Sequence, residues 1–265
     1  MIHPYLWCRN VIRSTLRGSI LGNLIRQLSA KPAKGVVHIV SATRLSEAEF
    51  WSKSALGKSL LDYRSRPDLK IYIQFSNAEG LSIIYNRYID ATNDSDILVF
   101  VHDDVWLESH QDLNWLDSIR IGVNYFDVIG VAGNVRLGPT QPAWLFRSLE
   151  NSQFVWDHGY LTGSVGHGKK PTLDKDSYGP VPMECKALDG VLLAMRGINL
   201  KRSRLHFDAR FKFHFYDLDF CREATKRGLV MGTWMIPLTH ESGGSFGTTS
   251  WSEGFNSYLE KWSKA

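Results

Sequence analysis

Cysteine and long apolar runs are scarce in this sequence of 265 residues. Cys8, Cys185 and Cys221 are its only cysteines, too few and too scattered for a disulfide framework or a CxxC zinc site. A reducing compartment is the simpler setting for such a chain, so a cytoplasmic location is the expectation. The longest apolar runs reach about five residues, as from Ile97 to Val101, far short of the ~20 that cross a bilayer. Arg13 and Arg17 interrupt the apolar residues of the N-terminus, so no secretory core is read there. Neither GxxxxGK[ST] nor GxGxxG occurs, which removes the P-loop and the dinucleotide fingerprint. No internal repeat is present. Acidic residues are missing from Met1 through Ser46, while seven arginines and lysines lie between Arg9 and Arg44.

What is present suits a globular α/β protein. Hydrophobic residues make up 43%, enough for a sizeable core, and charged residues 22%. The formal net charge of +4 admits an anionic ligand without demanding nucleic acid, and none is expected as a partner. The basic N-terminus carries Ile12, Leu16, Ile20 and Leu24 at four-residue spacing, which predicts a helix from about Arg9 to Leu28. That helix either touches anionic lipid at the inner face of a membrane or packs on the domain with its arginines in water. Lys31 to Gly35 reads as a linker, so residues 1–34 form a basic extension and residues 35–265 the main domain.

Strands and helices then alternate. Val36–Val40, Lys70–Phe75, Ile97–Val101, Asp127–Ala132, Leu188–Met195 and Leu229–Ile236 read as strands. Helices are expected after Ser46, over Gly80–Ala91, Leu113–Ile121 and Asp217–Arg227, and near Trp251–Trp262. Ser46 and Glu49 have capping-box spacing, and Gly228 stops the helix before it. Such alternation predicts a Rossmann-like, mostly parallel sheet flanked by helices. Gly133–Met183 lacks clear periodicity and reads as a functional loop or a β-rich insertion.

Four polar clusters are candidates for chemistry. His102-Asp103-Asp104 ends a strand, where open α/β sheets bind ligands. Its adjacent carboxylates suit a Mg²⁺ or Mn²⁺ ion shared with a diphosphate, or Asp104 simply caps the next element. Asp217 and Asp219 open a helix, as caps or with one of them as a general base. His240 precedes the glycine-rich Glu241-Ser242-Gly243-Gly244-Ser245, as a structural hydrogen-bonder or as part of a phosphate and metal site. Ser41, Thr43 and Arg44 follow the first strand and suit a nucleobase and its phosphate edge. In a parallel sheet these strand ends converge on one edge.

Over roughly Val36 to Phe246 this order resembles the GT-A glycosyltransferases, in particular the family-2-like group that includes the streptomycin-biosynthesis-type enzymes. Val99-Phe100-Val101-His102-Asp103-Asp104-Val105 looks like the family's DxD-type strand end. Leu188-Asp189-Gly190 through Arg196 looks like its acceptor-side strand, Phe215-Tyr216-Asp217-Leu218-Asp219 like its ED-type helix start, and Thr239–Ser245 like its C-terminal histidine-and-glycine loop. Val101 or His102 replaces the first Asp of DxD, and Tyr216 stands where the ED motif has Glu.

The resemblance implies a metal-dependent, inverting transfer of a sugar from a nucleotide-diphosphate donor to an acceptor hydroxyl. Asp103, helped by His240, would hold Mn²⁺ or Mg²⁺, with Asp104 second. Asp217 would be the base. Ser41, Thr43, Arg44, Asn77, Glu79, His102 and Asp104 would contact the donor. Trp144, Trp156 or Tyr178 could stack on a sugar. The alternatives are a nucleotidyltransferase, a metal-dependent hydrolase and a non-catalytic carbohydrate-binding relative.

Overall fold

The computed structural model describes residues 31–110 and 113–262. The predicted helix over Arg9–Leu28, and with it most of the basic extension, lies outside the described residues. The strands are β1 (Val37–Ala42), β2 (Leu69–Gln74), β3 (Ile97–Val101), β4 (Val105–Leu107), β5 (Ser109–His110), β6 (Leu113–Asn114), β7 (Val128–Gly130), β8 (Ala132–Asn134) and β9 (Phe146–Glu150). They continue with β10 (Gln153–Trp156), β11 (Leu161–His167), β12 (Lys175–Gly179), β13 (Met183–Cys185), β14 (Ala187–Leu188), β15 (Leu192–Arg196), β16 (Met231–Thr233) and β17 (Leu238–His240). The α-helices are α1 (Glu47–Lys53), α2 (Ala55–Leu60), α3 (Leu81–Ala91), α4 (Trp115–Gly122), α5 (Gly197–Ser203), α6 (Tyr216–Lys226) and α7 (Thr249–Trp262). Among the described residues no helix is long and apolar enough to cross a membrane.

The architecture is mixed α/β. A seven-stranded sheet has the order β13-β16-β7-β15-β3-β1-β2. β1, β2 and β3 run parallel, as do β7 and β16. β15 runs antiparallel between β3 and β7, and β13 antiparallel at the edge. The expected Leu188–Met195 strand is therefore two pieces, β14 and β15, and β15 enters the sheet reversed. Its first residues, not its last, lie at the carboxyl ends of the parallel strands: Leu192 faces Val101, and His102 N–H donates to the Val191 carbonyl. A second, six-stranded sheet joins β14, β8, β11, β17 and β4, with β12 on β11. The aperiodic middle of the chain is thus largely β-structure, and its short strands gave no period long enough to read.

Local chemistry explains the elements. β3 is apolar throughout and largely β-branched, and it is buried along its whole length, as a central strand covered on both faces should be. The Ser46–Glu49 capping box forms at α1, Asn114 accepts the Leu116 and Asp117 N–H groups at α4, and Gly228 takes φ +74° behind α6. Between the sheet and α3, the Phe100 and Tyr85 rings stack at 4.4 Å, and Phe207 closes on Phe220 at 4.2 Å. Deleting the buried Phe100 ring should leave a cavity that this packed layer fills only in part. Phe100→Ala is expected to lower unfolding free energy by roughly 3–5 kcal/mol, read from the urea midpoint at unchanged slope. A loss below about 1 kcal/mol would contradict this packing.

Candidate active site

A cavity of about 910 Å³ opens at the carboxyl ends of β1, β2 and β3. Three segments far apart in sequence build its polar centre. The first is His102-Asp103-Asp104, which carries the chain from β3 in one sheet to β4 in the other. The second is β17, which pairs with β4 so that His240 faces Val105 while Glu241 N–H donates to the Asp104 carbonyl. The third is the start of α6, with Tyr216 and Asp217. Asp189 and Gly190, just before the reversed β15, complete the wall.

His102, Asp104 and His240 each place one ligand atom within 4.8 Å of the others. Asp104 Oδ1 is buried without a hydrogen bond, although His240 Nε2 stands 3.2 Å away. Burial alone would raise the Asp104 carboxyl, but the His240 imidazole, with His102 and Ser242, brings it down to about 2. For His240, burial works against the charged ring, yet Asp104 beside it prevails and its pKa is raised. His102 is lowered by burial before any other influence. A buried carboxylate oxygen among two imidazoles is a donor set that fits a divalent cation. The side chain gathered with His240 is Asp104 rather than the expected Asp103. The β4–β17 register sets this choice. Asp103 lines the cavity outside the group, and its backbone carbonyl accepts the Leu56 N–H of α2.

Asp217 is half-buried. Its Oδ2 accepts the Gly190 N–H at 3.1 Å and its Oδ1 the Leu218 N–H at 2.9 Å. Burial first, and then the Asp189 carboxylate, raise its pKa to about 7. Phe215 occupies the N-cap position without a side-chain bond, so Asp217, the second residue of α6, caps one first-turn N–H with Oδ1 while it lines the cavity. Asp219, the other carboxylate of this run, is fully buried against Lys261 and Trp262 and does not line the cavity.

The donor-side expectations divide. Thr43, Arg44, Asn77 and Glu79 line the cavity. The Thr43 hydroxyl already accepts the Leu45 N–H, Asn77 closes a turn on Glu79, and Glu79 pairs with Arg87 at 2.8 Å. Ser41 is corrected: it is 0% exposed inside β1, an interior strand paired on both sides, and does not reach the cavity. Trp144 and Tyr178 line the cavity edge to face at 5.0 Å, whereas Trp156 is not part of its wall. Sequence reasoning missed three members. His167 is set opposite His240 by the β11–β17 register. Asp189 is a lone acid before an apolar strand, a signal that was available. Tyr216, in the sequence only a departure from a motif, bonds to His102.

The strand ends of this α/β sheet carry a carboxyl of raised pKa and an acid–histidine cluster, an arrangement suited to moving a proton beside a bound cation. The chain belongs to the glycosyltransferase-like family, whose model matches residues 67–242, and it is a glycosyltransferase. No curated protein matches it. It is similar to the crystal structure of A197 from STIV, at 12% identity over 81% of this chain and 98% of that one, with a TM-score of 0.42. It is also similar to GalNAc-T7 with UDP, GalNAc and Mn²⁺, at 9% identity over 86% of this chain and 49% of that one, TM-score 0.47. A third is the mannosyltransferase PcManGT from Pyrobaculum calidifontis in complex with GDP-Man and Mn²⁺, at 12% identity over 89% and 67%, TM-score 0.39.

The raised Asp217 pKa makes stability depend on pH. The folded chain holds this proton up to about pH 7, the unfolded chain only to about pH 4. Stability contributed here is present at low pH, falls as pH rises between those values, and stays low above them. Asp217→Asn removes the loss. Thermal unfolding at about pH 8 is expected at a higher temperature for the variant than for the wild type, with the two converging near pH 4. Identical midpoints on the alkaline side would contradict the raised pKa.

Proposed function

We propose that this chain is a metal-dependent, inverting GT-A-type enzyme that moves a sugar from a nucleotide-diphosphate donor to an acceptor hydroxyl. The observation that supports this reading best is convergence: Asp104, Asp217 and His240, distant in sequence, line one cavity. The donor lies along the ends of β1 and β2, by Arg44 and Asn77. The acceptor enters past Tyr178, a half-buried ring of a kind that suits a pyranose, with the buried Trp144 packed against it.

Asp217 is poised for proton abstraction. Each carboxylate oxygen is held by one backbone N–H, which fixes the group and leaves a lone pair on each for a substrate. A pKa near 7 lets it take a proton at neutral pH and still be basic enough to matter. As the acceptor oxygen bonds to the anomeric carbon, its proton passes to Asp217. The bond to the diphosphate breaks, and that bond's electron pair leaves with the nucleotide. His102, Asp104 and His240 would hold the divalent cation, with Asp103 at its margin. When bound, such an ion offsets negative charge gathering on the leaving diphosphate. Ser242, Gly243 and Gly244 line the same wall, where a loop with little side-chain bulk lets backbone approach phosphate oxygens. The streptomycin-biosynthesis-type subgroup remains the assignment that the HDD and YDLD runs suggest.

Two experiments test the reading, with nucleoside diphosphate release from a panel of UDP- and GDP-sugars as the assay. Asp217→Asn is expected to slow transfer by roughly 10²–10⁴-fold while nucleotide affinity holds, and the wild-type rate should climb with pH through about 7. Wild-type turnover in that variant would remove the base assignment. Chelation should abolish turnover, and Mn²⁺ should restore more of it than Mg²⁺, since two imidazoles favour the less oxygen-bound ion. Activity that survives EDTA unchanged would exclude the cation from the reaction.

A further inference from the structure

Tyr216 stands next to the base but has no part in the chemistry above. Its hydroxyl makes two bonds: Oη lies 2.8 Å from the Gly190 carbonyl oxygen and 2.9 Å from His102 Nε2. A carbonyl can only accept. The single phenolic proton therefore goes to Gly190, and the bond to His102 must run the other way, from Nε2–H to the Tyr216 oxygen. An imidazole that keeps its proton on Nε2 offers its lone pair at Nδ1. The ring can then join Asp104 and His240 only through Nδ1.

We propose that Tyr216 is a positioning residue of the cation site, holding His102 as the Nε2–H tautomer so that Nδ1 is the nitrogen presented with Asp104 and His240. The inference rests on the proposed cation site and adds the residue that orients its first ligand. Histidine ligands are commonly fixed in this way by an acceptor on their far nitrogen. The Tyr216 hydroxyl is itself held rigidly. The residue is 3% exposed, and its ring packs against Tyr85 and Phe207. The close approach to Gly190 also requires a glycine there, because a Cβ on residue 190 would come within 2.3 Å of Tyr216 Oη. Phenol and base are tied to one peptide segment: the Gly190 carbonyl takes the Tyr216 proton, and the Gly190 N–H holds Asp217. Tyrosine in place of the acid that the ED motif carries is thus explained. Its oxygen accepts from His102 without adding a third negative charge beside Asp189 and Asp217.

The test uses the full chain, with Mn²⁺ alone as the probe. Mn²⁺ affinity, followed by the electron paramagnetic resonance signal of the free ion, is measured for wild type, Asp104→Asn and Tyr216→Phe. The phenylalanine variant keeps the ring and loses the hydroxyl, both as acceptor from His102 and as donor to the Gly190 carbonyl, and unchanged thermal unfolding would confirm that it folds. It is expected to bind Mn²⁺ roughly 10–100-fold more weakly. Wild-type affinity in Tyr216→Phe would overturn the positioning role and leave the cation site standing. No Mn²⁺ binding by the wild type would remove the cation site itself. Nitrogen-15 spectra of the metal-free protein then decide the tautomer independently. His102 should carry its proton on Nε2 in the wild type and lose that preference in Tyr216→Phe. A wild-type ring protonated on Nδ1 would overturn the inference.

Discussion

Asp104 and His240 face each other at 3.2 Å because two sheets are joined by a three-residue crossing. β3 ends at Val101, His102 to Asp104 cross the gap, and β4 begins at Val105 in the other sheet. β17 then pairs with β4, and the pairing fixes which residue His240 meets. A slip of one position in a strand sends each side chain to the opposite face. It would carry His240 away from Asp104 and break the Glu241–Asp104 backbone bond. The apolar burial of β3, Val105 and Leu238 holds that register, so the core sets the geometry of a polar cluster that gains little by itself. Burial disfavours the Asp104 carboxylate, but the His240 imidazole at 3.2 Å, with His102 and Ser242, more than offsets it and holds the group charged.

The same logic, with opposite sign, governs Asp217. Its position at the start of α6 and its two N–H donors favour the charged carboxylate. Burial and the Asp189 charge favour the neutral acid, and they win, since the pKa is raised to about 7. Within one cavity, then, one carboxyl is driven down and another up. The difference lies in the neighbours: Asp104 has imidazoles, and Asp217 has a second acid. Opposed pKa values in neighbouring carboxyls separate a group that stays charged from one that can trade a proton.

Much of this was legible in the sequence because it was local. Strand and helix alternation, the Ser46 capping box, the Gly228 stop and the polar ends of β1 and β3 are all written in short runs. Asp217, which lines the cavity, stood out because it opens a helix after an aromatic run. What was not legible depends on pairing between distant segments. The reversal of β15 brings Asp189 and Gly190 to the site by their strand's beginning, and a parallel reading of the sheet would have put them at its far edge. The choice of Asp104 over Asp103 comes from the β4–β17 register, which neither strand shows alone. Ser41 misled for a related reason. A hydroxyl near a strand end reads as polar and available, but the strand is central and Ser41 falls one residue short of where the chain leaves the sheet.

The C-terminal helix shows how far the site extends beyond the residues that touch it. Phe215, immediately before Tyr216 and Asp217, has φ +65°. A bulky residue in the left-handed region costs on the order of 1–3 kcal/mol and persists only where its surroundings enforce it. Here they do: its ring lies 5.2 Å from Trp251, 5.5 Å from Phe255 and 5.3 Å from Tyr258, all on α7. Gly254 leaves room for it, since a Cβ there would come within 3.0 Å of the ring. Glycine at 215 would remove the backbone strain but also the ring that α7 grips. The left-handed turn is what starts α6 abruptly enough to bring Tyr216 under Gly190 and Asp217 beside it. Lys261 and Trp262 at the end of α7 then bond Asp219, further along α6. α7 lies beyond the family-matched residues 67–242, yet through Phe215 and Asp219 it fixes the helix that presents Asp217.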